Sequence, residues 1–339
     1  MARRTRGRRF LAQALSIILA LILLVLLDPA ATARFLAPGN LANVGVQMAV
    51  VTITAIGVTL VIIAGGIDLS LGSVAALAGV VCAQLMVGAY RWGHWNPWLA
   101  GIAACGLGLL LGAINGGLIA WAWLPPFIVT LGMLLVARGA VHYLTNGENV
   151  FGLPESFLEV GSGRWRPAAF GYALAIPVPY MVLYFLALAA ITHLVLTRTR
   201  IGRYWYAMGS NPAATRLSGV AVNAWTILVY GVSGLLAAFA GVVGAARNSI
   251  GSPTAYDGLE LDAIAAAVIG GASLSGGVGS VPGTLLGALL LAGLRNILDQ
   301  RNLSSDVQKL YIGVAILLAV LMDQARRRVA VRSTGGATP

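Results

Sequence analysis

Long apolar runs alternate with short polar connections along almost the whole chain. Most of the runs hold roughly 20 residues, the length that an α-helix needs to cross the hydrocarbon core of a bilayer. A transmembrane β-barrel would instead alternate apolar and polar residues within segments of about ten, and these runs do not. The pattern predicts an all-α polytopic membrane protein, one transmembrane domain over residues 1–339 with about ten helices. The predicted spans are 10–27, 41–64, 70–90, 98–122, 126–145, 171–196, 222–246, 262–278, 281–299 and 307–325.

Composition supports a lipid environment for most of the chain. Hydrophobic residues make up 58% of the sequence and charged residues only 10%, whereas a soluble domain carries about 25% charged residues. The mean hydropathy of +0.86 agrees with this interpretation.

The distribution of positive charge predicts which connections face the cytoplasm. Arginines cluster before the first span, between the sixth and seventh spans, and after the last: Arg3, Arg4, Arg6, Arg8, Arg9, Arg198, Arg200, Arg203, Arg216, Arg326, Arg327, Arg328 and Arg332. Short cytoplasmic segments carry the excess of Lys and Arg, so ten spans place the tails 1–9 and 326–339 and the connection 197–221 inside. The connection 146–170 has mixed charges and is predicted to lie outside, in the periplasm. The clusters lie at span ends without a soluble domain, so they do not indicate nucleic-acid binding.

The N-terminal run has an alternative interpretation. An arginine-rich start, an apolar run and Ala31-Thr32-Ala33 also fit a cleaved signal peptide. We prefer an uncleaved first helix, because the run is long for a signal peptide and further spans follow.

The sequence contains no pattern that predicts catalysis. A P-loop needs a lysine after its glycines to bind phosphates, but the only lysine is Lys309 and it follows Gln308. Metal-ligand spacings and a nucleophile elbow are also missing from the sequence. We therefore predict a transport protein, not an enzyme, that binds no metal or cofactor and takes its energy from an ion or a partner.

One carboxylate stands in the middle of an apolar region. Asp68 is the only formally charged residue between Arg34 and Arg91. Gly65 and Gly66 just before it predict a helix break, since each glycine costs roughly 1 kcal/mol in a helix interior. Asp68 could cap a helix that begins near Leu69, or it could contact a solute or a proton. We favour the cap.

A similar pattern follows a later apolar run. Gly65-Gly66-x-x-Leu69-Ser70 is matched by Gly270-Gly271-x-x-Leu274-Ser275, with Ser273 where Asp68 stands. Internal duplication and coincidence both remain open. Duplication would fit transporters built from repeats with broken helices at corresponding positions.

The basic connection 197–221 contains a short predicted helix. Asn211 followed by Pro212 is typical of an N-cap and a first helical residue. Gly219 suits a C-terminal glycine. The result is a helix of about two turns between two spans.

Four segments together resemble the membrane permease subunits of ribose-type ATP-binding-cassette importers, over nearly the whole chain from about residue 40. They read I-I-A-G-G-I-D-L-S-L-G-S (62–73), L-P-P-F-I-V-T-L-G-M (124–133), G-S-N-P-A-A-T-R-L-S-G-V (209–220) and the segment from G-L-E-L-D to V-P-G-T (258–284). The resemblance implies an inner-membrane permease that pairs with a second permease, identical or paralogous. It also implies a cytoplasmic ATPase, often with two fused cassettes, which uses ATP and Mg²⁺, and a periplasmic sugar-binding protein.

The resemblance also implies roles for individual residues. Coupling to the ATPase is expected at Gly209, Asn211, Ala214, Arg216, Leu217, Ser218 and Gly219. The translocation path or its helix breaks are expected at Gly65, Gly66, Asp68, Ser70, Asn115, Thr130, Gly270, Gly271, Ser273 and Ser275, although small residues in spans also serve helix packing. Glu260 and Asp262 lie on the predicted outer side, so they could contact the binding protein or merely start a helix.

Three alternatives to a sugar permease stay open. A permease for branched-chain amino acids would share the fold, and a nucleoside or an autoinducer could be carried within the same branch. The third alternative is an ion-coupled secondary transporter that works alone.

Overall fold

A computed structural model describes residues 34–88, 93–166, 168–169, 172–173, 177–304, 306–314 and 317. The predicted span 10–27 and the tails 1–9 and 326–339 lie outside the described residues. The predicted span 307–325 lies partly outside them, and residues 306–314 are helical.

Helices form most of the described chain, with two small pairs of strands in one connection. The helices are α1 (Pro38–Ile63), α2 (Leu71–Val87), α3 (Pro97–Trp121), α4 (Pro126–Thr145), α5 (Glu155–Ser162), α6 (Tyr180–Arg198), α7 (Arg200–Ser210), α8 (Pro212–Leu217), α9 (Val222–Asn248), α10 (Leu259–Ile269) and α11 (Val281–Gln300). Strands β1 (Arg164–Trp165) and β4 (Val178–Pro179) pair antiparallel, as do β2 (Ala168–Ala169) and β3 (Tyr172–Ala173).

Six helices in the described part of the chain are long and apolar enough to cross a membrane: α1, α3, α4, α6, α9 and α11. Helix α2 is apolar but has only 17 residues. The chain is thus a multi-pass membrane protein, as predicted, while the number of about ten spans is not confirmed.

Two predicted spans need correction. The span predicted at 171–196 starts as a helix only at Tyr180, because Val178 and Pro179 pair with β1. The span predicted at 262–278 is not one helix. Helix α10 stops at Ile269, and a non-helical segment follows until Val281, because Gly271, Gly276 and Gly277 take positive φ angles.

Helices α1, α2 and α9 form the centre of the bundle. Helices α1 and α9 are buried along most of their length, whereas α3, α4 and α6 are mostly exposed. The exposed side chains on the outer helices are large and apolar, for example Ile102 and Leu110 on α3 and Leu135 on α4. Such surfaces suit contact with lipid, so the outer faces agree with a membrane environment.

Glycines let α3 cross α9 at very short distance. Gly108, Gly112 and Gly116 recur every four residues on the α3 face that meets α9. A Cβ atom on Gly112 would lie 2.9 Å from the carbonyl carbon of Tyr230, and one on Gly116 would lie 2.6 Å from Cα of Ile227. Small residues at this spacing are typical of close helix packing in membranes.

The two long polar connections lie at opposite ends of α9. Val150, in the connection after α4, forms a β-bridge with Gly251, just beyond the C-terminal end of α9. Helix α8 lies just before the N-terminal end of α9. Because α9 has 27 residues and is therefore about 40 Å long, the two connections are far apart. Their placement on different sides of the membrane stays a prediction.

Candidate functional site

The first helix break joins α1 to α2 and contains Asp68. Two hydrogen bonds close the end of α1, from the Gly65 amide to the Ile62 carbonyl (3.0 Å) and from the Gly66 amide to the Val61 carbonyl (2.9 Å). With Gly65 at φ +87°, this is a Schellman motif, which satisfies the last carbonyls of a helix. The predicted break is present, and glycine takes the left-handed conformation there without the steric cost of a side chain.

Asp68 binds the residue that precedes α2. Its Oδ1 accepts hydrogen bonds from the Ser70 amide (3.0 Å) and from the Ser70 hydroxyl (2.6 Å). The helix begins at Leu71, two residues after the predicted start, so the carboxylate orders the helix entrance and does not bind its first turn. The side chain of Asp68 is fully buried.

Polar groups from three helices surround this first break. Asn115 on α3 donates to the Ser70 hydroxyl (3.1 Å), and Tyr230 on α9 donates to the Ile67 carbonyl (3.1 Å). Thr130 on α4 donates to the Pro126 carbonyl (2.9 Å), with the Ile67 carbonyl 3.5 Å away. The structure therefore brings together four predicted path residues, namely Asp68, Ser70, Asn115 and Thr130, and all four are buried.

This polar cluster retains unused hydrogen-bonding capacity. Within the described residues, Asp68 Oδ2 and Asn115 Oδ1 are buried without a hydrogen bond of good geometry, and the Ser233 hydroxyl lies close to Asp68 but is not well aligned with it. Asp68 forms no ion pair with a described arginine or lysine, whereas Asp262 pairs with Arg295. A buried polar atom without a partner is costly, so the cluster is suited to receive a further donor.

The second break joins α10 to α11. The Gly271 amide bonds the Val268 carbonyl and the Ala272 amide bonds the Ala267 carbonyl, both at 2.9 Å. This is the same Schellman motif, but its left-handed residue is Gly271, the second glycine of the pair, whereas the first break uses the first glycine. The two copies of the sequence pattern thus differ by one residue in structure. By that alignment Leu274, not Ser273, corresponds to Asp68.

The predicted serines of the second break occupy different environments. Ser273 is buried and its amide donates to the Val278 carbonyl (2.9 Å), whereas Ser275 is exposed. Neither joins the cluster around Asp68. The two breaks nevertheless touch, because the Gly277 amide donates to the Ile63 carbonyl at the end of α1 (2.9 Å).

The predicted short helix in the connection 197–221 is present as α8. Asn211 Oδ1 accepts a hydrogen bond from the Ala214 amide (2.9 Å), and Pro212 is the first helical residue. Gly219 has φ +81°, as expected for a residue that ends a helix. A second helix, α7, precedes it and was not predicted.

Helix α8 presents most of its surface outward. Leu217 is 89% exposed, and Ala214, Ser218 and Gly219 are exposed too, while Thr215 faces inward. Arg216 lies over the ring of Trp123, with Cζ 4.9 Å from the ring centroid, and donates to Asn223 Oδ1 (3.2 Å). The outward face of α8 therefore carries one large apolar side chain that is free to contact another protein.

The two acidic residues predicted to meet the binding protein lie at the start of α10. Glu260 is buried, and a Cβ atom on Gly72 of α2 would meet its carboxylate. Asp262 accepts a hydrogen bond from Arg295 on α11 (2.6 Å). Both residues lie in the first turn of α10, where acidic side chains interact favourably with the positive end of the helix dipole. The contact with a binding protein stays a prediction, and the burial of Glu260 favours the alternative that it starts the helix.

Sequence reasoning missed several residues of these sites. Tyr230 and Ser233 were visible only as polar positions in an apolar span, without a local pattern linking them to Asp68. Arg295 and Asp262 line a cleft of about 200 Å³ between α1, α10 and α11, together with Gln47 and Asp299. Their pairing joins residues 33 positions apart, which no local signal reveals.

Comparison with known proteins gives a consistent family. A family model described as the permease component of branched-chain amino acid transport systems matches residues 40–321. The ribose import permease RbsC of Escherichia coli K12 is 42% identical over 327 residues, which cover 95% of this chain and 98% of that protein. RbsC of Bacillus subtilis 168 is 40% identical over 316 residues (93% of this chain, 94% of that protein). The xylose transport permease XylH of E. coli K12 is 35% identical over 347 residues (87% of each).

Proposed function

Because the chain belongs to the family of transport-system permease components matched over residues 40–321, we propose that it is the membrane permease subunit of an ATP-binding-cassette importer for a sugar. The proposed sugar is of pentose or hexose type, and a pentose is favoured because the relatives described above are named for ribose and xylose. Branched-chain amino acids are the second candidate, because the family description names them.

The observation that carries this proposal is the exposed helix α8. It is capped by Asn211, closed near Gly219, and presents Leu217 at 89% exposure. A large apolar side chain held in this way on a rigid helix is suited to enter a groove of a partner. We assign that groove to a cytoplasmic ATPase with two cassettes. That ATPase, and not this chain, would bind ATP and Mg²⁺.

The remaining partners follow from the same proposal. A periplasmic binding protein delivers the sugar, and a second permease, identical or paralogous, completes the path. The complex lies in the inner membrane, with the connection 197–221 in the cytoplasm and the connection 146–170 in the periplasm.

Transport then depends on a two-state permease. ATP binding closes the cassettes and moves α8, which shifts the permease between outward-open and inward-open states. A partner shifts such an equilibrium only by binding the two states with different affinity. The cluster around Asp68 and Ser70 would line the path, exchanging its internal hydrogen bonds for sugar hydroxyls when the helices separate.

Co-purification tests the proposed function. The tagged chain, expressed with its companion ATPase and extracted in mild detergent, should retain the ATPase. Leu217→Asp should reduce the retained ATPase by about tenfold, because a carboxylate would be buried without a partner in the groove that receives Leu217. The control Phe151→Asp, at an exposed apolar position in the connection 146–170, should retain the ATPase. Transport in vesicles energised only by an ion gradient, without an ATPase, would contradict the proposal and favour a secondary transporter.

The ligand of the companion binding protein separates the two substrate candidates. Isothermal titration with D-ribose, D-xylose and leucine should give heat only with a sugar. Binding of leucine alone would assign the permease to amino acids.

A further inference from the structure

The segment just before α8 contacts both helix breaks at once. Gly209, at the end of α7, lies against the hydrogen bond that joins the two breaks, between the Ile63 carbonyl and the Gly277 amide. A Cβ atom on Gly209 would overlap the Ile63 carbonyl oxygen and lie 2.6 Å from the Gly277 nitrogen. Any residue larger than glycine would push these backbones apart.

Backbone atoms from the end of α7 and from both helix breaks meet at this contact. A Cβ atom on Gly276 would lie 2.9 Å from Cα of Gly65, and one on Gly277 would lie 3.1 Å from Cα of Ser210. Gly65, Gly276 and Gly277 also take positive φ angles. We refer to Gly65, Gly209, Gly276 and Gly277 as the glycine junction.

A side-chain hydrogen bond reinforces the glycine junction. Tyr206, one turn before Ser210 on α7, donates from its hydroxyl to the Gly279 carbonyl in the second break (2.8 Å). Helix α7 is also held at Trp205, which is buried and donates to the Trp225 carbonyl (3.3 Å). Only Ser210 and Asn211 separate Gly209 from Pro212, the first residue of α8, so little chain is available to absorb a displacement.

The first break leads onward to the polar cluster. Asp68 follows Gly65 by three residues and holds Ser70, which binds Asn115. Because closely packed backbones transmit strain, a displacement of Gly209 would move both breaks and the residues around Asp68.

We propose that the glycine junction is the point where movement of α8 is passed to the two helix breaks, and through the first break to the polar cluster. This inference rests on the proposed function, since it needs a partner that moves α8. It assigns Gly209 and Tyr206 as positioning residues that act on the path without contacting the ATPase.

Hydrogen exchange measured by mass spectrometry tests the proposal without knowledge of the substrate. The purified complex of permease and ATPase is compared with and without MgATP and vanadate. In the native complex, exchange should change in peptides covering 64–70 and 270–280 as well as in the connection 197–221. In Gly209→Ala, the change at 197–221 should persist, while the change at both breaks should fall by about tenfold, within the range of coupling between distant sites.

Two further variants keep the test decisive. Gly139→Ala on α4, where a Cβ atom would meet nothing within 4 Å, should behave like the native complex. If Gly209→Ala does not fold, Tyr206→Phe removes the hydroxyl that binds the Gly279 carbonyl. It should reduce the change at 270–280 by about threefold, as expected for one hydrogen bond.

The outcomes separate this inference from the proposed function. Absence of the ATPase from the native complex overturns both. Suppose that hydrogen exchange in the native complex changes at 197–221 but at neither break. That result would overturn only the proposed role of the glycine junction. Loss of the ATPase in Gly209→Ala would make Gly209 an ATPase contact and would also overturn it, as would a response at the breaks that neither Gly209→Ala nor Tyr206→Phe reduces.

Discussion

At the scale of single residues, Asp68 shows how a buried carboxylate is used within an apolar bundle. It holds the amide and hydroxyl of Ser70, and Ser70 in turn accepts a hydrogen bond from Asn115. One oxygen of Asp68 therefore orders the entrance of α2 and connects it to α3. This arrangement needs an acceptor at Oδ1 and does not need a negative charge.

Substitutions at Asp68 separate an ordering role from a charge-dependent role. Asp68→Asn keeps the acceptor, so we expect a melting temperature and an ATP-driven uptake close to those of the native protein. Asp68→Ala leaves the buried Ser70 amide unpaired, and we expect it to lower the free energy of unfolding by about 1–3 kcal/mol. Thermal unfolding in detergent and uptake into proteoliposomes check both results. Abolished uptake with an unchanged melting temperature in Asp68→Asn would show that the charge itself is required.

The sequence predicted this local feature better than its surroundings. Gly65, Gly66 and Asp68 lie within four positions, so their backbone chemistry can be predicted without knowing the fold. Tyr230, Ser233 and Asn115 reach the same place from distant segments, and only packing brings them there. The sequence also did not predict that the two breaks differ by one residue, with Gly65 left-handed in the first pair and Gly271 in the second. Either glycine of a pair can take the left-handed conformation.

At the scale of elements, α8 was predictable because its signals are local. Asn211, Pro212 and Gly219 mark its ends in the sequence, and the structure places each in the expected role. The predicted span 262–278 failed because hydropathy alone does not distinguish a helix from a glycine-rich apolar segment. Helix α10 has only 11 residues, too few to cross a bilayer.

The cap of α8 can be tested separately from the rest of the fold. Asn211→Ala removes the acceptor for the Ala214 amide and should destabilise α8 by about 1 kcal/mol. We expect weaker binding of the ATPase, measured by titration in nanodiscs, with little change in the melting temperature because Asn211 is exposed. Asn211→Ser, which keeps a good cap, should restore binding. Equal binding by Asn211→Ala and the native protein would show that the cap is not needed.

The crossing of α3 and α9 makes a second prediction at this scale. In Gly112→Ala the new methyl group would meet the backbone of Tyr230 and Gly231, so we expect the free energy of unfolding to fall by about 1–3 kcal/mol. Gly106→Ala is the matched control on the same helix, because a Cβ atom there meets nothing within 4 Å. Thermal unfolding of the two variants should differ clearly, and equal melting temperatures would contradict the close crossing.

At the scale of the whole molecule, the two helix breaks and the connection that holds α8 meet at one end of the bundle. Helix α8, the two breaks and the glycine junction lie together, while the connections holding Val150 and Gly251 lie at the other end of α9. The helical membrane fold and its family follow from hydropathy and motifs in the sequence. The contact between the two breaks could not be predicted from the sequence, because Ile63 and Gly277 are more than 200 positions apart.

The central claim is that this polypeptide moves solute only when another protein supplies the energy. The most direct measurement is accumulation of radiolabelled D-ribose, with the cognate binding protein, in proteoliposomes containing either the permease alone or the permease with its ATPase and MgATP. We predict accumulation above the external concentration only when the ATPase and MgATP are both present. Accumulation against the gradient by the permease alone, under an ion gradient, would contradict the account.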